Sequence, residues 1–298
     1  MDIKVRSISN DWTVMPGGLT WYFIGQPKTG KTTAASSWSE KGHKGVLLLD
    51  TDLGVDFVDG ANTVTVNSLN PPEENKLDAK GMQEYNQKGQ PIKRIVPANE
   101  RGFYHRTGKK KGKPMEVYSL QEIFMWLSEE WDKLSYDTVV IDTIDEVNEW
   151  IQDEVVTELG IGAMGEGQWG ADWGKARRRN VDIVKRFQGF LKSKGANLIL
   201  ISHSKSTQMQ DSKVQLSPDL PRGLAYALTA KADVIGYCTA DKDSKGYYVS
   251  FQAYDERTVG SRLLPLAQQT LELSYEAIKD KIVNFEKEKE NKNAKIQA

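Results

Sequence analysis

Residues 25–32 read Gly25-Gln26-Pro27-Lys28-Thr29-Gly30-Lys31-Thr32. They match Gly-x4-Gly-Lys-Ser/Thr, the pattern of a phosphate-binding loop. The pattern carries a mechanism. Successive backbone N–H groups wrap a β-phosphate, and a helix starting near Lys31 turns its positive end to the anion. Glycine stands where the backbone must approach phosphate oxygens. Lys31 is expected to reach the β- and γ-phosphates, and the Thr32 hydroxyl to bind Mg2+. The expected nucleotide-binding set is Gly25, Gln26, Pro27, Lys28, Thr29, Gly30, Lys31, Thr32 and Thr33. Four matched positions arise by accident in roughly one chain in a hundred of this length, with Gly near 7% of residues. The flanks fit too: an apolar run, 19–24, precedes the loop and a helix-like stretch, 31–41, follows.

Outward from the loop, short apolar runs alternate with longer helix-like stretches. That is the pattern of a mostly parallel sheet flanked by helices, an α/β fold. Runs 46–50, 63–66, 138–142, 197–201 and 233–239 read as strands, and 120–134, 146–159 and 175–194 as helices. Residues 160–174 form a glycine-rich loop with Trp169 and Trp173, and 203–222 a polar loop. A C-terminal β-hairpin turns at 241–246 and returns over 247–254. Segment 67–117 breaks the alternation. It is polar, rich in Pro, Gly, Asn and Lys, and too long for a structureless loop in a compact domain, so it reads as an insertion, disordered or separately folded. Its end is basic: Arg101, Arg106, Lys109, Lys110, Lys111 and Lys113, with Phe103 and Tyr104 among them. The expected organisation is one domain over 1–270 carrying this insertion, then a helix from about Glu272 and a charged tail over 271–298. No internal repeat is visible.

Composition bounds the class. The chain has 298 residues, 39% hydrophobic and 27% charged, with net charge -1. A neutral protein has no global field for nucleic acid, so any such site must be a local patch. One cysteine, Cys238, allows neither an internal disulfide nor a cysteine zinc cage. No apolar run approaches the ~20 residues of a membrane span, and residues 1–6 lack the apolar core of a signal peptide. A cytoplasmic location, with no membrane partner, is the expectation.

Acids and a histidine end the predicted strands. Asp142 closes 138–142 and is expected to hold Mg2+ through water, with Thr143 supporting the water shell. Asp50 and Asp52 close 47–52. Ligands in open α/β sheets bind beyond the carboxyl ends of strands. One of the two, Asp52 foremost, is expected to orient an attacking water. His203 ends 197–201 and is expected to sense the γ-phosphate. Helix capping, turn formation and a structural histidine are the bland alternatives.

Together these segments resemble the RecA-like P-loop ATPases, and most closely a phage-encoded group that includes the short RecA-like (Sak-type) single-strand annealing proteins. The resemblance rests on 25–33, 47–52, 138–147 and 201–205, with support from 165–170, 218–221 and 232–235, and spans about 15–265. It implies ATP and Mg2+ as cofactors and a RecA-like core. RecA has a water-activating glutamate where this chain has Asp52, one methylene shorter. The γ-phosphate sensor falls on His203, and the loop after it corresponds to a DNA-facing loop. Asp255-Glu256-Arg257 is similar to a Lys-x-Arg segment that reaches a neighbouring subunit's nucleotide; Arg257 matches and Asp255 replaces the Lys. The function implied is an ATP-dependent phage recombination protein, a homo-oligomer acting on single-stranded DNA. Stretch 101–113, the Trp169/Trp173 loop and 203–222 are its candidate contacts, and Lys175, Arg177, Arg178 and Arg179 add positive charge. A nucleotide-switched partner-binding module with little turnover is the alternative. A phosphotransferase is disfavoured, because no arginine-rich lid is evident.

Overall fold

The computed structural model describes residues 10, 12–208, 214–241, 243, 245–253 and 258–287. Strand β1 (Thr20–Gly25) is buried throughout and runs into the phosphate loop and α1 (Lys31–Ala35). β2 (Val46–Asp50) and β3 (Thr63–Ser68) follow. β4 (Glu73–Asn75) and β5 (Lys93–Ile95) pair apart from the main sheet, and β6 (Val117–Ser119) rejoins it before α2 (Leu120–Glu130). Next come β7 (Thr138–Asp142), α3 (Ile144–Leu159), α4 (Ala171–Ser193), β8 (Asn197–Gln208), β9 (Val214–Pro218) and α5 (Arg222–Thr229). β10 (Val234–Ala240), β11 (Tyr247–Ser250), β12 (Gly260–Ser261), β13 (Thr270–Glu272) and α6 (Tyr275–Val283) end the described part.

Among the described residues the main sheet has 11 strands, in the order β13-β11-β10-β1-β8-β7-β2-β3-β6, with β12 on β10 and β9 on β8. From β10 to β6 the pairing is parallel, and β11 and β13 add an antiparallel C-terminal edge. This is the expected P-loop core. Parallel strands are covered on both faces, which is why their sequences read as continuous apolar runs. The period of two still sorts the side chains. Tyr22, Ile24, Leu47, Leu49, Val139 and Ile141 face the layer of α2, α3 and α4, whereas Trp21, Phe23, Val46, Leu48 and Val140 face Trp38 and α6. β1 lies between β8 and β10, both much later in the chain, so the crevice for a ligand opens at its carboxyl end.

Several expectations are corrected. Residues 203–208 and 214–218, expected in a polar loop, form strands: β8 continues to Gln208 and pairs antiparallel with β9, from Ser204↔Pro218 to Gln208↔Val214. This ribbon carries few apolar residues, so no hydrophobic alternation announces it. The helix after the phosphate loop covers Lys31–Ala35 rather than 31–41. Ser36 and Ser37 turn their hydroxyls back onto the carbonyls of Thr33 and Ala34, a contact that competes with helix propagation. The last helix starts at Tyr275, because Glu272 still belongs to β13. Within 67–117 the backbone folds as small hairpins, with bridges Leu77↔Gln83, Tyr85↔Pro91 and Tyr104↔Pro114 besides the β4–β5 pair.

Arg101 leaves the set of candidate DNA contacts. Its side chain is 2% exposed, donates to the carbonyls of Val96 and Val117, and forms a two-pronged pair with Glu122 at 2.8 Å. Glu122 also completes the capping box of α2 with Ser119, so this pair fastens the inserted hairpins to the core. Arg101→Ala strands the acceptors of a buried cation and is expected to cost about 3–5 kcal/mol in chemical denaturation; a change under about 1 kcal/mol would show the anchor to be dispensable.

Candidate nucleotide site

The loop is shaped by two left-handed residues, Lys28 (φ 65) and Gly30 (φ 78), which turn successive N–H groups toward one concavity. Gly25 cannot carry a side chain: a Cβ there would stand 2.5 Å from the Cys238 carbonyl oxygen on β10. A Cβ on Gly30 would stand 2.7 Å from the Tyr247 ring. The Thr29 hydroxyl donates to the Gln26 carbonyl at 2.8 Å and holds the turn.

Lys31 is 5% exposed. Its Nζ donates to the carbonyls of Gly25 and Gln26, both at 2.9 Å, inside the cradle. Burial lowers its pKa, and nearby acids oppose that shift. The Thr32 hydroxyl donates to Asp142 Oδ2 at 2.6 Å, joining residues 110 apart in sequence. Burial pushes the Asp142 carboxyl up to about 6, despite the Thr32 bond. On the adjacent β2, burial pushes Asp50 up to about 7, against the N–H of Gly54. Thr51 bonds the backbone N–H and carbonyl of Thr143 and so ties the ends of β2 and β7 together. The Asp142–Thr143 peptide is cis.

Asp52 is exposed beyond β2 and accepts from Gly54 N at 2.9 Å. His203 lies on β8, between β1 and β7. Its backbone N–H and ring Nδ1 meet Asp145 Oδ2 at 2.6 and 3.1 Å, and the Ser202 hydroxyl holds Oδ1 at 2.5 Å. The bond to Asp145 raises the His203 pKa. Gln26 Nε2 reaches the Ser204 hydroxyl at 3.1 Å, so loop and β8 are in direct contact. Glu146, in the first turn of α3, has its pKa raised by burial first and by Asp52 next.

The fold thus gathers Lys31, Thr32, Asp142 and the loop; His203, expected to end its strand, lies within β8, and Asp52 lies just beyond β2, with β7 between the two strands. Thr33 is exposed on α1. Arg257, with Asp255 and Glu256, lies outside the described residues. Sequence reasoning gave no role to Asp145, Thr51 or Tyr247. Asp145 stands three residues after Asp142 in the first turn of α3, a spacing that hints at the same crevice. Tyr247 gave no local signal; its ring reaches Gly30 only because β11 returns beside β10.

A family model described as an AAA domain matches residues 18–271. The chain belongs to this family. Membership sets it among the P-loop ATPases, and the matched span includes the loop of residues 25–32. A comparison with curated proteins finds no match. Among the described residues, no helix is long and apolar enough to cross a membrane.

The two raised carboxyls give the free AAA-domain protein a pH signature. A carboxyl whose folded pKa exceeds its unfolded value favours folding fully below the unfolded value, near 4, and loses that contribution as pH rises through the folded one. Those folded values are about 6 for Asp142 and about 7 for Asp50. Metal-free protein in chelator is therefore expected to be more stable at pH 5 than at pH 8, by on the order of a few kcal/mol. A denaturation midpoint that rises between those pH values would contradict this.

Proposed function

We propose that this protein is a Mg2+-dependent ATPase of phage recombination that acts on single-stranded DNA as a homo-oligomer, with Asp52 orienting the attacking water. Bound ATP would supply the γ-phosphoryl group, and Mg2+ would neutralise the negative charge that develops on the leaving oxygens. Lys31, which donates to the carbonyls of Gly25 and Gln26, would exchange them for phosphate oxygens. Thr32 and Asp142, already bonded to each other, fit a magnesium ion held by a hydroxyl and, through water, by a carboxylate. His203, steadied by Asp145, is poised to donate toward the γ-phosphate.

The observation that carries the DNA reading is an aromatic and cationic face on α4 and α5. Trp173 and Arg177 lie four residues apart on α4, and Arg222 and Tyr226 four apart on α5, so each pair shares a helix face. Trp169, in the loop before α4, is fully exposed with φ 56, and Tyr226 is exposed. Asp172 folds that loop by accepting the N–H groups of Gly165 and Gly167, so the exposure of Trp169 accompanies a well-bonded turn. No acid lies within 4.0 Å of Arg177, Arg178 or Arg222 among the described residues, whereas Lys175 and Arg179 are paired with Glu158. Exposed rings that stack bases beside free cations suit a single strand. The face is wired to the sensor: Asp219 N, just before α5, donates to the His203 carbonyl at 2.8 Å.

The test is ATP turnover with and without single-stranded DNA at low and moderate salt. Stimulation by DNA supports the proposal; turnover indifferent to DNA moves the assignment to the nucleotide-switched partner-binding module. The Asp52–Gly54 contact favours that second reading, since the carboxylate is engaged in its own turn. Asp52→Asn is expected to keep ATP binding and to lose turnover by about 100–10,000-fold, the range of general-base contributions. Tyr247, half-exposed against Gly30, is a wall for the base. Tyr247→Ala is expected to raise KM for ATP by about 5–50-fold, as loss of one stacking partner does, with kcat little changed.

A further inference from the structure

Residues 103–115 form a hairpin at the edge of the insertion. Met115 N donates to the Phe103 carbonyl, His105 N to the Lys113 carbonyl and Gly112 N to the His105 carbonyl, at 2.8–3.0 Å. Its tip carries Lys109, Lys110, Lys111 and Lys113, all exposed. None of the four has an acid within 4.0 Å among the described residues, although the chain as a whole has 41 acids for 40 bases. Elsewhere in the insertion Lys76, Lys93, Arg94 and Arg101 are paired, whereas Lys80 and Lys88 have no acid within 4.0 Å among the described residues; within the hairpin Arg106 is paired. A hairpin that holds four unpaired ammonium groups together works against their mutual repulsion.

The hairpin also reaches the carboxyl end of β2. Lys110 and Lys113 line a cavity of about 760 Å³ whose other walls include Asp50 and Asp56. Arg106 Nε donates to Asp56 Oδ2 at 2.7 Å, and a second guanidinium nitrogen donates to the Leu53 carbonyl. Leu53 has φ 61 and sits between Asp52 and Gly54, the residues of the turn that aims the Asp52 carboxylate. Arg106 is thus a clasp from the lysine hairpin onto the backbone beside Asp52.

We propose that this hairpin is a docking arm for the phosphodiester backbone of a single strand, and that Arg106 makes docking a control on Asp52. A backbone phosphate held by Lys110 and Lys113 competes with Asp56 for the Arg106 guanidinium. Release of the Leu53 carbonyl then frees the Asp52 turn to re-aim its carboxylate. The inference rests on the single-strand reading above but concerns a different surface from the α4–α5 face.

The experiment uses the full chain and a fluorescent deoxythymidine oligonucleotide, over a range of salt, with ATP turnover read in parallel. Replacing Lys109, Lys110, Lys111 and Lys113 together by alanine is expected to flatten the slope of log binding constant against log salt by about 2–3, at roughly 0.7 per lysine lost. These side chains are exposed, and an unchanged thermal midpoint checks the fold. Arg106→Ala is expected to bind the oligonucleotide within about threefold of the parent, from the loss of at most one phosphate contact, and to lose the dependence of turnover on it. Parent binding with an unchanged slope in the lysine variant overturns the docking arm while the single-strand reading stands. Undiminished stimulation in Arg106→Ala, or no stimulation in the parent despite binding, overturns the control on Asp52. A parent that binds no oligonucleotide even at low salt overturns both the inference and the single-strand reading.

Discussion

Lys31→Ala is expected to reduce ATP turnover by at least about a hundredfold, the scale of losing one preorganised charge from a phosphoryl-transfer site. The loop offers no substitute. Lys28, the other cation of the loop, is exposed, whereas Lys31 is buried in the cradle. The variant should still fold, because the lysine's contacts in the free protein go to two carbonyls of its own loop and not to the core. Circular dichroism and the thermal midpoint check that point, and titration with a fluorescent ATP analogue separates binding from chemistry. Turnover at the parental rate in a folded Lys31→Ala protein would remove the basis for the nucleotide site.

Asp142→Asn is expected to act in two opposite directions. Magnesium-supported turnover should fall by about a hundredfold or more, since a carboxylate near the metal stabilises charge that an amide does not. Stability of the metal-free protein at pH 8 should rise. Asp142 is 3% exposed, and its pKa of about 6 means that burial penalises the ionised form at that pH. Asparagine keeps an oxygen to accept from Thr32 Oγ1 and carries no charge to bury. Relief of roughly two pKa units corresponds to about 2–3 kcal/mol, and to a thermal shift of several degrees in a chain of this size. At pH 5 the gain should shrink, because the parental carboxyl is then mostly protonated. A variant that is destabilised at pH 8 in chelator would show that Asp142 stabilises the fold as a charged group.

The parts of the molecule that could be read from sequence are those whose chemistry restricts residue type over a short span. The phosphate loop had to have Gly25, Gly30, Lys31 and Thr32 at fixed spacing, and β1, β2 and β7 had to be apolar because both their faces are buried. Asp142 was legible because it ends such a strand. What escaped depends on distant partners. Asp145 gains meaning only when β8 brings His203 to it. Arg101 looked like one more member of a basic stretch, and only the fold brings Glu122 and two carbonyls around its guanidinium. β4 and β5 are exposed on all their residues, and the β8–β9 ribbon carries serine, lysine, threonine and glutamine. Pairing in such ribbons rests on backbone hydrogen bonds and turns, which leave no hydrophobic period to read.

The ammonium of Lys31, seated on the carbonyls of Gly25 and Gln26, makes the loop its own internal rival. A ligand does not draw this cation from water. It must outbid two dipoles that already hold the charge at 2.9 Å in a buried setting, and its affinity reports the difference between two dry environments. That difference sets a threshold. A lone inorganic phosphate offers little beyond the contacts it displaces, whereas a triphosphate adds further oxygens along the loop and at Thr32. The same closed loop therefore sorts anions by how many groups they bring at once.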